Sequence, residues 1–321
     1  MKKTSYVLAM SAVAGILTAC GGGSGGFDGP VITIPTAPPV KRTVQLNSGL
    51  GALVNSTCLV YALPKMGTTA PVGRGTTDAT NGFVALDVFA SASNPTVIEC
   101  NGGEYFDEGT GVFAPLGSKA IRVTVSPERI SDLATTTLTE IASAVATRRL
   151  GLLTPEEQAN GAKAFAEIDA AYKDVANAFL PGFDLRSKPA LVNSTTPVLG
   201  GGNQAVYALY LAGLSVIAKD AGVTLIDLIA TLDADISDGN LDGLLPDAST
   251  AKAKQSSLYA SFEDLLSKLD AAAKKYAEDT GNAAALDALN QFLDAVAALR
   301  EGVISNTPSG GTGTGTGTGS G

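Results

Sequence analysis

The sequence predicts an α+β protein of two parts, an antiparallel β-sandwich over residues 43–126 followed by an all-α helical bundle over 131–305. Two observations carry that prediction. Between Thr43 and Val125, short runs rich in Val, Ile, Thr and aromatics alternate with Gly, Pro, Asn and Asp, the pattern of strands and turns. From about Ser131 the apolar spacing lengthens to three to five residues and alanine becomes frequent, the pattern of packed helices.

The chain opens with "MKKTSYVLAMSAVAGILTAC": Lys2 and Lys3, an apolar run from Tyr6 to Leu17, then small residues before Cys20. These are the three parts of an export signal over residues 1–19, too short for a membrane span with flanks. Leu17 to Cys20 resembles the lipobox of bacterial lipoproteins, which implies lipidation of Cys20 and attachment to a membrane through that lipid. Residue 21 is glycine and not the aspartate that retains enteric lipoproteins at the inner membrane, so the resemblance implies the outer membrane. Residues 20–42 then form a Gly- and Pro-rich tether.

Strand runs follow in order: "TVQLNSG", "STCLVYAL", "GFVALDVFA", "PTVIECNGG" and "AIRVTVSP". Their spacing suits an antiparallel sandwich of about seven strands. Cys58 and Cys100 each fall inside a run, and in an exported chain a disulfide between them is the default, with two free thiols as the alternative. Closing such a loop contributes about 4 kcal/mol in the chain-entropy account. Thr77, Asp78, Gly82 and Phe83 resemble the T-D-x-x-G-x-F turn of carboxypeptidase-regulatory-like and transthyretin-like β-sandwiches. That resemblance implies a structural or interaction module and no chemistry. "CNGGEYFDEGTGVF" with "TTLTEIASAVA" is similar to uncharacterised proteobacterial surface proteins and lipoproteins in which a sandwich precedes helices.

In the second part, Leu138, Ile141, Val145 and Leu150 lie at helical spacing. Thr154, Pro155 and Glu157 make a capping box with proline at the first helical position, predicting a helix to about Leu180. "QAVYALYLAGLSVIAKDAG" and "TLIDLIATLDADI" are two further helices, and the stripes Leu258–Tyr276 and Leu286–Leu299 predict a hairpin turning at "DTGN". Residues 306–321 form a Gly/Thr-rich tail.

Composition limits the chemistry. The chain has no histidine and no tryptophan, which excludes Ser-His-Asp triads, Cys-His pairs and histidine-ligated metals. It has 22 Lys plus Arg against 31 Asp plus Glu, and loss of Lys2 and Lys3 with the signal leaves a net charge near −11, which disfavours nucleic acid. Carboxylate chemistry and oxygen-ligated cations stay open. No catalytic residue is singled out, and the one cofactor considered is calcium.

Two acidic stretches are the candidates for a site. "TLDADISDGNLDG" supplies Asp233, Asp235, Asp238, Asn240 and Asp242 at the end of a helix. An EF-hand loop wants oxygens at positions 1, 3 and 5, glycine at 6 and an acid at 12; starting at Asp238 satisfies all but the last, which is Ser249. A helix-stopping polar turn is the other reading. "GGEYFDEGTG" holds Glu104, Asp107 and Glu108, either an acid pair or a hairpin tip whose acids face water while Tyr105 packs inward. Arg148 and Arg149 read as the cationic end of a helix. These features point to a lipid-anchored outer-membrane or surface protein that binds or scaffolds an extracellular or periplasmic macromolecule, with a carboxylate-based envelope hydrolase and a calcium-dependent binder as alternatives.

Overall fold

Strands occupy the N-terminal half and helices the C-terminal half of the computed structural model, which describes residues 40–48, 51–63, 70–90, 95–125, 133–193, 195–246, 253–300 and 302–308. Cys20, its tether as far as residue 39 and the tail from 309 lie outside the described residues.

Before the first helix come β1 (Val40–Ser48), β2 (Leu53–Val54), β3 (Thr57–Ala62), β4 (Gly73–Thr76), β5 (Phe83–Ala90), β6 (Thr96–Asn101), β7 (Glu104–Asp107), β8 (Val112–Pro115), β9 (Ala120–Val125) and β10 (Leu133–Thr135). Alternation along the strands explains the faces: in β5, Val84 and Leu86 are buried while Phe83 and Ala85 face outward. Seven strands form one sheet in the order β10-β1-β5-β4-β3-β6-β9, and β2-β7-β8 form a second. Cys58 and Cys100 stand directly opposite each other on β3 and β6, both fully buried, and are joined by a disulfide. The turn before β5 is held by Asp78, which accepts N–H bonds from Thr80, Asn81 and Phe83.

The large sheet is not wholly antiparallel, because β10 pairs parallel with β1. Residues 133–135, which the sequence assigns to the helical part, therefore return to the sheet. This places β9 and β10 at its two edges, where they approach each other.

An edge strand leaves every second residue's N–H and C=O without a ladder partner, and burying such groups unpaired costs about 1–3 kcal/mol each. On β9 Arg122 and Thr124 are two such residues, and side chains satisfy all four of their groups. The Arg122 N–H donates to Glu140 Oε2 at 2.7 Å, and its carbonyl accepts from Thr139 Oγ1 at 2.9 Å. The Thr124 N–H donates to the Tyr172 hydroxyl at 2.7 Å, and its carbonyl accepts from Arg186 Nε at 3.1 Å. Arg186 also receives the Ala134 N–H of β10 on its own carbonyl, so one residue spans both edges. Its guanidinium lies 3.8 Å above the centre of the Tyr172 ring and pairs with Asp169.

These capping side chains come from α1 (Thr137–Gly151), from α3 (Gly161–Phe179) and from the segment after it. α1 starts at Thr136, whose side chain and that of Thr139 cap each other's backbone. The single helix expected from Thr154 to Leu180 is two: α2 (Pro155–Ala159) carries the predicted capping box, and α3 begins again after Asn160. Asn160 leaves helical geometry at ψ 94° and accepts the Lys163 N–H, so it ends one helix and caps the next.

α4 (Asn203–Asp220), α5 (Leu225–Asp235), α6 (Phe262–Asp279) and α7 (Ala283–Val296) complete the helices, with a short ribbon β11 (Leu244–Pro246) and β12 (Ala253–Gln255) between α5 and α6. Thirteen of the 18 residues of α4 are buried, because α5, α6 and α7 all pack on it. Each fully buried leucine among them contributes about 1.5–3 kcal/mol. Gly213 permits the close approach of α6, since a Cβ there would lie 2.9 Å from Leu269 Cδ1 and 3.2 Å from the Ala273 nitrogen. Buried side chains from both halves join in one hydrophobic core.

Candidate functional site

The first acidic stretch lies in β7 and the turn that follows it. Glu104 is exposed, and Tyr105 is turned inward and 1% exposed. Asp107 and Glu108 do not face water as a hairpin tip would; both are buried, at 8% and 6% exposure, because the turn docks on α4. Asp107 Oδ1 accepts from Ser215 Oγ at 2.5 Å and from the Gly109 and Thr110 N–H groups. Lys219 Nζ donates to the Gly109 carbonyl at 2.7 Å. Only glycine fits at 109, where a Cβ would stand 2.6 Å from the Ser215 carbonyl oxygen.

Glu108 lines a cavity of about 10 Å³ together with Gly51, Pro189, Ala190, Val192, Ala208 and Leu211. Its Oε2 is buried with no hydrogen-bond partner. Burial, reinforced by the adjacent Asp107 carboxylate, pushes Glu108 up to about 8, against the N–H groups of Glu108 and Gly51, which favour the charge. Burial in this seam therefore favours the neutral, protonated carboxyl. A cavity of this size admits about one water molecule and no substrate.

The second acidic stretch is dispersed. Asp233 Oδ1 pairs with Arg148 at 3.2 Å, which relieves the unfavourable charge at the C-terminal end of α5. Asp235 is fully buried and turns inward, accepting from the Tyr259 hydroxyl at 2.6 Å and the Gly243 N–H at 3.1 Å, with Oδ1 unpartnered. Burial raises its pKa, more than the Tyr259 and Gly243 bonds lower it. Asp238 and Asp242 close local turns on the Asn240 and Leu244 N–H groups. Asn240 pairs instead with Val303 in an isolated bridge. Among the described residues no three acidic or cysteine side chains converge closely enough to hold a metal ion.

Arg148 and Arg149 end α1 as expected, and they also hold the C-terminal segment. Arg149, 1% exposed, donates Nε to the Ser305 carbonyl at 2.6 Å and pairs with Asp174. Arg148 Nε donates to Asn306 Oδ1 at 3.2 Å. Ile304 is fully buried beside them, and its N–H donates to the Gly239 carbonyl.

Larger concavities lie elsewhere. A groove of about 480 Å³ runs between α4 and α6, with Val216, Ile217, Leu258 and Ala272 on its floor and Lys268 and Lys275 at its rim. A cleft of about 440 Å³ is lined by Asp169, Lys173, Asn177, Phe183 and Arg186. Sequence reasoning found neither, nor the polar side chains that bind the sheet edge, Glu140, Tyr172 and Arg186, nor Tyr207, whose hydroxyl ties α4 to Thr136 and to the Leu185 carbonyl. Thr139–Glu140 and the tyrosines of α4 gave the available signal, polar groups standing on otherwise apolar helix faces.

No known family model matches the chain, and no curated protein and no solved structure is similar to it.

Proposed function

We propose that the chain is a lipid-anchored protein of the outer membrane or cell surface that works by binding or scaffolding, with an N-terminal β-sandwich and a C-terminal helical bundle as its rigid body. Cys20 carries the lipid, and the partner is an extracellular or periplasmic macromolecule and not nucleic acid. One observation supports binding above catalysis: four buried or half-buried ionic side chains are engaged in holding the fold together. Asp107 is bonded to Ser215, Asp235 to Tyr259, Glu140 to Arg122 and Arg149 to Ser305. The hydrolase alternative needs an acid pair over a substrate-sized space, whereas the cavity at Glu108 measures about 10 Å³. The groove between α4 and α6 has the mixed floor and rim of a ligand surface.

Two experiments test this reading. Feeding expressing cells an alkyne palmitate should label the full chain but not Cys20→Ala, and equal labelling would overturn the anchor. A photo-crosslinking residue at position 271, in the groove, should give a discrete adduct in intact cells that the same probe at exposed Glu156 does not. Identical patterns from both positions would remove the groove as the binding surface.

A further inference from the structure

Glu108 sits where three separate pieces of chain meet: the turn after β7, α4, and residues 189–192. Burying a carboxyl there leaves Oε2 without a partner beside a cavity that holds about one water. The surroundings do not neutralise it. From its own turn it faces Asp107 and, beyond, Tyr105. From α4 come the Ser215 hydroxyl, whose proton goes to Asp107, and Lys219, whose ammonium goes to the Gly109 carbonyl. From α6 comes Tyr276. From α5, Asp227 acts on Tyr105. Gly51 and residues 189–192 bring no ionisable side chain.

We propose that Glu108 makes this seam a proton-linked latch, closed tightly when the carboxyl is protonated and loosened when it must ionise, so that acid holds the 107–111 turn on α4 and rising pH frees it.

The sign follows from linkage. The group binds its proton more tightly in the closed seam than when exposed, where it titrates near 4.5. Opening is therefore least favourable below that value and becomes about tenfold more favourable per pH unit as pH rises toward the closed-state value, then levels off. The slope is the signature, because it requires one proton released on opening.

Hydrogen exchange on the full chain, corrected for intrinsic rates, reads this directly. Protection of peptides covering 105–111 and the middle of α4 should fall about tenfold per unit between roughly pH 5 and pH 8, and Glu108→Gln should abolish that slope while segments such as α3 stay unchanged in both. Equal slopes in the wild type and in Glu108→Gln would overturn the latch. Should Glu108→Gln fail to fold, a carbon-13 titration of the Glu108 carboxyl in the wild type decides the matter: a midpoint above pH 7 supports the latch, and one below pH 6 overturns it.

Discussion

Replacing Tyr172 by phenylalanine removes one oxygen from a ring that is 3% exposed and leaves the packing volume almost unchanged. That oxygen accepts the Thr124 N–H at 2.7 Å and bonds Ser143 Oγ at 2.8 Å. Thr124 is fully buried at the sheet edge, so its N–H gains no water in compensation. An unsatisfied buried donor costs about 1–3 kcal/mol and the lost Ser143 bond about 1 more, so Tyr172→Phe should destabilise the fold by about 2–4 kcal/mol. Urea unfolding followed by circular dichroism measures the total, and amide-resolved exchange locates it. The Thr124 amide should exchange at least roughly thirtyfold faster, the factor that corresponds to about 2 kcal/mol. A loss below about 0.5 kcal/mol with Thr124 still protected would refute the idea that side chains replace the missing strand at this edge.

Replacing both Cys58 and Cys100 by alanine reopens a link across 42 residues and should cost about 4 kcal/mol by denaturant midpoint, plus a smaller packing term. Asp78→Ala should cost about 1 kcal/mol at pH 7. Burial is the largest single influence on the Asp78 pKa and raises it, but N–H bonds from Asn81, Thr80, Phe83 and Gly82 together lower it below 3.8, so its contribution is present above that value and lost as pH falls through the depressed one. Melting the wild type and variant from pH 7 to pH 2 should show their curves converging in acid. Arg149→Met should release the segment 302–308 and cost about 3 kcal/mol, with new proteolytic cleavage near Ser305 as the marker.

The local elements were legible because their signals are local. The β-branched runs mark β3, β5, β6 and β9, and Thr154 with Glu157 marks the start of α2. The α1 start was harder, since its box uses Thr139 where a glutamate is the usual sign. What joins the halves was not legible, because the partners are far apart: Arg122 and Glu140 are 18 residues apart, Thr124 and Tyr172 are 48, and Asp107 and Ser215 are 108. The turn "DEGTG" has the composition of a solvated loop, and only the approach of Gly109 to the α4 backbone buries its acids. In the stretch 231–243, the spacing of the acids shows that they are not an EF-hand in register, but not that Arg148 and Tyr259 draw two of them in different directions.

The way β9 is finished has a consequence for how the chain is made. When β9 leaves the ribosome or a translocation pore its outer N–H and C=O groups have nothing to meet, and the last of their partners, Arg186, follows 62 residues after Thr124. At synthesis rates of about 5–20 residues per second the nascent sheet waits roughly 3–12 s with a strand-pairing template open to its neighbours. Crowded, unfinished copies are thus the form of this protein most exposed to aggregation, and a factor that shields residues 120–125 during that interval should raise its yield without touching the stability of the finished fold.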